Sequence, residues 1–195
     1  MQRLVLPLPG NEAFAAALAA ACASDCGRVE TRRFPDGESC VRLHGDPAGR
    51  AVDLVCSLAR PDETFLTLVF AADAARELGA REVNVIGPYL ACMRQDMRFQ
   101  PGEAVSSHSF ARLLSTTFDR LLTVDPHLHR HPALAGLYSI PTTCVVVHAL
   151  FADDAWNELQ ALFARITSTD AVAHASNRIA LAPLFADALR HGRHD

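Results

Sequence analysis

The feature that most constrains this fold is the alternation of short apolar runs with segments of helical periodicity along the whole chain. Strands separated by single helices are typical of a parallel sheet, because a parallel connection is long enough to pack a helix on the sheet. The sequence therefore predicts an α/β fold in which helices cover both faces of a parallel sheet. The predicted strands lie at 4–8, 51–57, 82–87, 120–125, 143–148 and 165–169, and the predicted helices at 12–22, 61–78, 106–114, 153–163 and 179–191.

Two details of the pattern make further local predictions. Asn11 stands immediately before the first predicted helix, where an asparagine side chain can cap the free backbone N–H groups. Pro35-Asp36-Gly37 separates strand-like runs at 29–34 and 39–43 and predicts a tight turn between them. We therefore expect a capped helix followed by a β-hairpin.

The composition excludes several classes of protein. Half of the 195 residues are hydrophobic, which is enough for a substantial core and too much for a disordered or fibrous chain. A net charge of −4 provides no general attraction to nucleic acid or to anionic membranes. No apolar run is long enough for a membrane span, and the N-terminal run is short and broken by prolines, unlike a signal peptide. We expect a cytoplasmic protein with no nucleic-acid or membrane partner.

The six cysteines indicate a reducing compartment, because they are scattered and form no CxxC pair. Cys22 and Cys26 lie four residues apart in an alanine-rich stretch with helical periodicity. Residues at that spacing share one face of a helix. We expect both to be buried free thiols.

Arg94, Gln95 and Asp96 follow the predicted strand at 82–87, where the chain leaves the carboxyl edge of a parallel sheet. Open α/β folds bind their ligands at that edge. An arginine there can make paired hydrogen bonds to phosphate oxygens, and the neighbouring amide and carboxylate suit a base, a ribose or a metal-bound water. The tripeptide alone is equally compatible with a solvated loop.

Phe34, Asp36 and Glu38 place an aromatic ring and two carboxylates within five residues, around the predicted turn. An aromatic surface suits an adenine ring, and carboxylates accept hydrogen bonds from an exocyclic amine or from ribose hydroxyls. The alternative interpretation is an ordinary hairpin turn whose acids are solvated. These residues alone do not decide between the two.

Three alternating histidines, His127, His129 and His131, follow the predicted strand at 120–125, again at the expected ligand edge. In an extended chain they would share one face, so a transition-metal site is one interpretation. However, the spacing matches no structural zinc signature, and an arginine interrupts the run. The other interpretation is a single histidine that binds the metal ion of a nucleotide.

Taken in order, these motifs resemble those of the ribose-phosphate pyrophosphokinases, also called phosphoribosyl pyrophosphate synthetases. The similarity includes Phe34-Pro35-Asp36-Gly37-Glu38, the segment from Pro88-Tyr89 through Arg94-Gln95-Asp96 to Pro101, and Thr123-Val124-Asp125-Pro126-His127. It continues in the segment 168–177 and in Ala182-Pro183-Leu184. Several motifs in the same order are more specific than any one of them. The chain is thereby identified as a member of this family.

The resemblance implies a phosphoribosyltransferase-like fold and a reaction in which the diphosphoryl group of ATP passes, with magnesium, to ribose 5-phosphate. The product would be phosphoribosyl pyrophosphate for nucleotide biosynthesis. His127 would bind Mg²⁺, and the hairpin residues would complete the adenine pocket of a neighbouring subunit, which implies a homo-oligomer. The implied ATP-binding residues are Phe34, Asp36, Glu38, Arg94, Gln95 and Asp96.

The sequence departs from the family in its C-terminal part. The resemblance assigns 1–142 to a complete N-terminal ATP-site domain and 143–195 to the remnant of a second, similar domain. The family's Thr-Gly-Gly-Thr sugar-phosphate loop and the lysine of its mobile loop have no counterpart, since the chain contains neither a Gly-Gly pair nor any lysine. Strands of the shortened part would either leave unpaired edges or add to the first sheet.

Three functions are compatible with these observations. The first is a diphosphotransferase by descent, either internally shortened or working only beside a complete partner. The second is a non-catalytic, ATP-binding regulatory or associated subunit of a synthetase, which the missing loop favours. The third, a nucleobase phosphoribosyltransferase, would still require the missing phosphate-binding loop.

Overall fold

The computed structural model describes residues 2–125, 138–151 and 155–191. Strands and helices alternate in these ranges in the order that the sequence predicts, and the predicted ends agree with the observed ones to within three residues. The strands are β1 (Arg3–Pro7), β2 (Asp25–Cys26), β3 (Arg28–Arg33), β4 (Ser39–His44), β5 (Ala51–Val55), β6 (Glu82–Gly87), β7 (Arg120–Val124), β8 (Thr142–Val146), β9 (Arg165–Thr169) and β10 (Asn177–Ile179). The helices are α1 (Glu12–Ala21), α2 (Pro61–Glu77), α3 (Ser106–Thr117), α4 (Ala155–Leu162) and α5 (Ala182–His191).

Eight strands form one sheet in the order β10-β9-β8-β7-β6-β5-β1-β2. Every neighbouring pair in it is parallel, so the α/β prediction is confirmed. β3 and β4 form the expected antiparallel hairpin, in which Arg33 lies opposite Ser39 next to the turn. β2 and β10 have only two and three residues, too few to show a pattern in the sequence, and the prediction missed both.

Helices cover both faces of the sheet, as predicted. Successive strand residues point to opposite faces, so a strand buried on both sides must be apolar nearly throughout. All five residues of β5 are buried. The core under α2 and α3 contains Leu6, Leu54, Val85, Leu68 and Leu114. The core under α1 contains Val5, Ala15, Ala19, Val55 and Ile86.

α2 shows why the helices form where they do. Pro61 occupies its first turn together with Asp62 and Glu63, whose charges interact favourably with the positive end of the helix dipole. Gly79 ends the helix with a φ of 90°, a conformation that glycine adopts at low cost. Among the described residues, no helix is long and apolar enough to cross a membrane.

Asn11 does not cap α1 as predicted, although it occupies the position before the helix. Its Nδ2 donates to the carbonyl of Leu8 at 3.1 Å, and its Oδ1 accepts a hydrogen bond from the backbone N–H of Ser57 at 2.8 Å. The side chain is buried and joins the segments that follow β1 and β5. Tertiary hydrogen bonds have therefore replaced the local cap.

The prediction of buried thiols at Cys22 and Cys26 is wrong. Both are exposed free cysteines. α1 ends at Ala21, Ala23 adopts a left-handed φ of 48°, and Cys26 belongs to β2, so the helical spacing does not reach it. The alanine-rich pattern continues past Ala21, where the helix ends. It therefore wrongly predicts that Cys22 and Cys26 share one face of a helix.

The chain after residue 142 extends the main sheet. β8 pairs with β7, β9 with β8 and β10 with β9, all in parallel. Thr142, Cys144 and Ser168 are buried on these strands, so this part adds to the interior as well as to the edge. The division into domains at 1–142 and 143–195 stays a prediction, since continuity of the sheet does not test it.

Candidate functional site

A cavity of about 270 Å³ lies at the carboxyl edge of the sheet, where three neighbouring strands end side by side. It is formed by the segments that follow β5, β6 and β7, which is the usual position of a ligand site in an open α/β sheet. The lining residues are Ala59, Pro61, Tyr89, Leu90, Ala91, Cys92, Met93, Arg94 and Asp125.

Two strained residues mark this cavity. Of the three non-glycine residues with a left-handed backbone in the described ranges, Cys92 (φ 62°) and Asp125 (φ 43°) both line it. Such conformations cost about 1–3 kcal/mol each and concentrate at functional sites, where the surrounding structure maintains them. No feature of the sequence indicates this strain.

The segment before Arg94 is held in place by burial. Leu90, Ala91 and Met93 are buried in the core under α2, and the hydroxyl of Tyr138 lies 3.5 Å from the Met93 sulfur. The carbonyl of Tyr89 accepts a hydrogen bond from the backbone of Leu58 at 3.1 Å. The backbone that carries Arg94 is therefore fixed from two sides.

Arg94 itself is exposed at the rim of the cavity. Its guanidinium forms no ion pair with a carboxylate in the part of the chain that the structure describes. A planar guanidinium with free N–H groups on a fixed backbone can bind a phosphate with two parallel hydrogen bonds. The structure thus brings one of the predicted residues to a cavity suited to an anion.

Gln95 and Asp96 are half-buried beside Arg94 but do not line the cavity. The Gln95 side-chain amide donates to Glu103 Oε2 at 3.1 Å, and the Gln95 backbone carbonyl accepts a hydrogen bond from the backbone N–H of Ser107 at 3.2 Å. Glu103 also accepts hydrogen bonds from the backbone of Phe99 at 3.0 Å. In this structure Gln95 shapes the loop, and a role in binding stays a prediction for it and for Asp96.

Phe34, Asp36 and Glu38 lie at the exposed tip of the hairpin. The Arg32 guanidinium sits 4.6 Å from the centre of the Phe34 ring, and Asp36 Oδ1 accepts the backbone N–H of Glu38 at 3.1 Å. Arg33 donates to the carbonyl of Glu63 at 3.3 Å and so ties the hairpin to α2. None of the three predicted residues lines the Arg94 cavity of its own chain.

The predicted metal ligand, His127, lies outside the described residues, as do His129 and His131. Asp125 lines the cavity two positions earlier, and its carboxylate is the type of ligand that Mg²⁺ prefers. Within the described ranges no group of three His, Cys, Asp or Glu side chains is arranged to hold a metal ion.

The thiols near the cavity are not poised as nucleophiles. Burial raises the pKa of Cys92 above its usual value, and the nearby negative charge of Asp62 raises it further. Burial likewise raises the pKa of the Cys56 thiol, just after β5, to about 11. Both groups therefore stay protonated near neutral pH. The site offers phosphate-binding and carboxylate groups, without a thiolate.

Comparison with known proteins matches the part of the chain that contains the hairpin and Arg94. The family model for the N-terminal domain of ribose phosphate pyrophosphokinase matches residues 4–117. The chain is 45% identical over 114 residues to a ribose-phosphate pyrophosphokinase of Methanopyrus kandleri, covering 58% of this chain and 38% of the relative. It is 39% identical over 124 residues to that of Halobacterium salinarum, covering 64% and 44%. The chain thus spans less than half the length of these curated relatives.

A solved structure supports the fold at lower identity. The phosphoribosylpyrophosphate synthetase from Mycobacterium smegmatis superposes with a TM-score of 0.59 at 16% identity, covering 97% of this chain and 98% of that one. The matched region 4–117 contains both the hairpin and the Arg94 segment, in the order expected from the motifs. The chain therefore belongs to the ribose-phosphate pyrophosphokinase family.

Proposed function

We propose that this chain binds ATP with Mg²⁺ in the cavity beside Arg94, as the nucleotide-binding part of a ribose-phosphate diphosphokinase. The observation that carries the proposal is the exposed guanidinium of Arg94 at the carboxyl edge of the sheet, unpaired with any described carboxylate. A nucleotide phosphate is the kind of anion that such a guanidinium binds with two hydrogen bonds. Family membership supports the same assignment.

In the proposed reaction the diphosphoryl group of ATP passes to the 1-hydroxyl of ribose 5-phosphate, and AMP leaves. Transfer of this kind requires positioning and neutralisation of charge more than a protein nucleophile. The protonated thiol of Cys92 agrees with that requirement. Mg²⁺, when bound, would neutralise phosphate charge, with the Asp125 carboxylate at the cavity and His127 as its proposed ligands.

The adenine pocket is proposed to form between subunits. Phe34 lies at the surface of the hairpin tip. Its side chain is 40% exposed, although the Arg32 guanidinium lies over the ring. Asp36 and Glu38 are exposed beside it, so one aromatic face and two carboxylates are available to a neighbouring copy. We therefore propose a homo-oligomer in which the hairpin of one chain reaches the Arg94 cavity of another.

A second candidate function follows from the absence of the family's sugar-phosphate loop in this sequence. The chain has no Gly-Gly pair and no lysine, so it lacks the loop and the cation that the family resemblance calls for. A backbone cradle for a phosphate needs glycine, because a Cβ would keep the anion from the N–H groups. This absence favours an ATP-binding regulatory or associated subunit that works beside a complete synthetase.

Nucleotide binding is tested by calorimetric titration with ATP and Mg²⁺. Replacing Arg94 in Arg94→Ala removes charge-assisted hydrogen bonds, so we expect a loss of about 1.5–3 kcal/mol of binding free energy. Arg112→Ala is the matched control, because Arg112 is exposed on α3 and lies outside the cavity. Equal ATP affinity in the wild type and in Arg94→Ala would remove Arg94 from the site and overturn the proposal.

Catalysis is tested by measuring AMP formation from ATP and ribose 5-phosphate, with and without a complete synthetase. Alone, the chain should turn over far more slowly than about one per second, a rate typical of working enzymes. Stimulation of the complete enzyme by the chain would favour the regulatory function. Turnover of about one per second or more by the chain alone, in a preparation free of host synthetase, would show that other residues replace the missing loop.

A further inference from the structure

A second cavity, of about 370 Å³, lies between α4 and the strands β9 and β10. Within the described ranges it shares no lining residue with the cavity beside Arg94, and the function proposed above does not use it. Its size falls within the range of about 300–1,000 Å³ that is common for small-molecule sites. Its polar lining comes mainly from Arg165, Thr167, Ser176 and Arg178, with Trp156 from α4.

The charge of this cavity is unbalanced. Arg165 and Arg178 both line it, and none of the described lining residues is acidic. Neither guanidinium forms an ion pair with any carboxylate of the described ranges, whereas Arg3, Arg76 and Arg120 each have an acidic partner. Two positive groups at one cavity without a counter-charge favour the binding of an anion.

Arg178 is positioned by the loop that carries it. One of its terminal nitrogens donates to the carbonyl of Ala175 at 3.1 Å and to that of Asn177 at 2.6 Å, which leaves the other guanidinium N–H groups available. The Asn177 side chain closes this loop by accepting from the His174 N–H at 2.7 Å and donating to Ser168 Oγ at 2.9 Å. Because the loop is already ordered, little entropy is lost when a ligand binds.

The lining residues Trp156 and Ser176 are also held in place by contacts with their neighbours. The Trp156 ring packs against Phe151 at 5.1 Å and against His174 at 4.5 Å, measured between ring centroids. The Ser176 hydroxyl is buried and lies 2.7 Å from Ser168 Oγ and 2.8 Å from His174 Nδ1. An oriented indole beside two cations provides an apolar surface for a sugar or a base.

We propose that this cavity binds the phosphate group of a small phosphomonoester, with Arg165 and Arg178 as its phosphate-binding residues. Arg165 begins β9 and Arg178 lies in the neighbouring strand β10, so the cavity is lined by one guanidinium from each of two paired strands. Trp156 would contact the sugar or base that carries the phosphate. The site is separate from the proposed ATP site, so either can fail without the other.

The single tryptophan of the chain makes a direct test possible, since its fluorescence reports on this cavity alone. The chain is titrated with inorganic phosphate, ribose 5-phosphate and AMP at constant ionic strength, with potassium chloride as the reference salt. We expect a saturable change in Trp156 emission with at least one of them, and the ligand that saturates at the lowest concentration identifies the source of the phosphate. Absence of a saturable change in all three titrations would overturn the proposal.

Matched variants then locate the ligand. Arg165→Gln and Arg178→Gln should each weaken the saturating ligand about tenfold or more, as expected for the loss of a charge-assisted hydrogen bond. Arg112→Gln removes the same charge outside both cavities, and Arg94→Ala removes the proposed ATP contact; neither should change the titration. Equal weakening by Arg112→Gln would mean a general effect of charge, and the site would be refuted.

Discussion

Asp53 is a buried carboxylate on β5, and Asp53→Ala tests how much its hydrogen bonds stabilise the sheet. Its side chain is 4% exposed and accepts hydrogen bonds from Arg3 at 2.7 and 2.5 Å and from Asn84 Nδ2 at 3.0 Å. The three residues come from β1, β5 and β6, so one carboxylate joins three neighbouring strands. Removing the carboxylate leaves two side chains without this hydrogen-bond partner. Asn84 is buried, whereas Arg3 is partly exposed to water.

Asn84 and Arg3 contribute different amounts to the expected loss in the free energy of unfolding. Asn84 is 4% exposed, so its side-chain N–H would lose its acceptor with little access to water, at a cost of about 1–3 kcal/mol. The Arg3 side chain is 42% exposed and would regain water, so its lost ion pair is discounted to about 1 kcal/mol or less. We expect Asp53→Ala to lower the free energy of unfolding by about 1–4 kcal/mol.

Urea denaturation followed by circular dichroism measures this loss, and Glu63→Ala is the matched control. Glu63 also pairs with an arginine, Arg60, at 3.8 Å, but both side chains are exposed (64% and 78%), so its removal should cost about 1 kcal/mol or less. Equal losses in the two variants would refute the reasoning from burial.

The effect of pH on Asp53→Ala follows from Arg3. The hydrogen bond from Asp53 raises the pKa of Arg3 above its ordinary value. A raised folded-state pKa stabilises the fold at pH values below the unfolded pKa, and this contribution is lost only as the pH rises through the raised value. The deficit of Asp53→Ala should therefore stay constant between about pH 6 and pH 9, and a deficit that changed across this range would contradict the assignment.

Three further predictions rest on separate parts of the molecule. Gly27→Ala should destabilise the fold by about 1–3 kcal/mol in the same urea assay, because a Cβ would meet the carbonyl oxygen of His44 at 2.4 Å and Leu6 Cδ2 at 2.6 Å; an unchanged midpoint would contradict this packing. Brief alkylation with iodoacetamide should label Cys22 and Cys26 first, since both are exposed, and should reach the buried Cys56 and Cys144 only after unfolding; mass spectrometry would show the reverse order if these burials were wrong. Light scattering should give a mass that is a multiple of the chain mass, because the proposed ATP site needs the hairpin of a second copy; a monomer that still binds ATP at full strength would disprove the shared site.

The order of strands and helices could be predicted because apolar periodicity reports burial directly. β5 and β6 are apolar runs buried on both faces, and α2 carries its own start and stop signals in Pro61 and Gly79. Local sequence patterns give a wrong prediction where tertiary contacts determine the hydrogen-bond partners of a side chain. Asn11 has a capping residue's identity and position, yet its amide binds Leu8 and Ser57 because the ends of β1 and β5 lie beside it.

The candidate site could be predicted in part for the same reason. Arg94 was identified because a residue that follows a parallel strand must emerge at the carboxyl edge, and there the structure places it. The strained backbone of Cys92 and Asp125 could not be predicted, because non-glycine residues give no sequence signal for a positive φ. Nor could the cavity at Trp156, whose two arginines are 13 positions apart and are joined only by the pairing of β9 with β10.

The proposed ATP site and the C-terminal strands lie in separate parts of the sheet. Among the described residues, those that line the Arg94 cavity lie between Ala59 and Asp125, and the core that supports it is built from residues between Leu4 and Leu121 together with Tyr138 and Ile140. β8, β9 and β10 add to the far side of β7 and contribute none of the lining. A substitution in the C-terminal strands is therefore expected to leave the Arg94 segment undisturbed. This arrangement is why we expect ATP binding to persist in a chain that makes little phosphoribosyl pyrophosphate by itself.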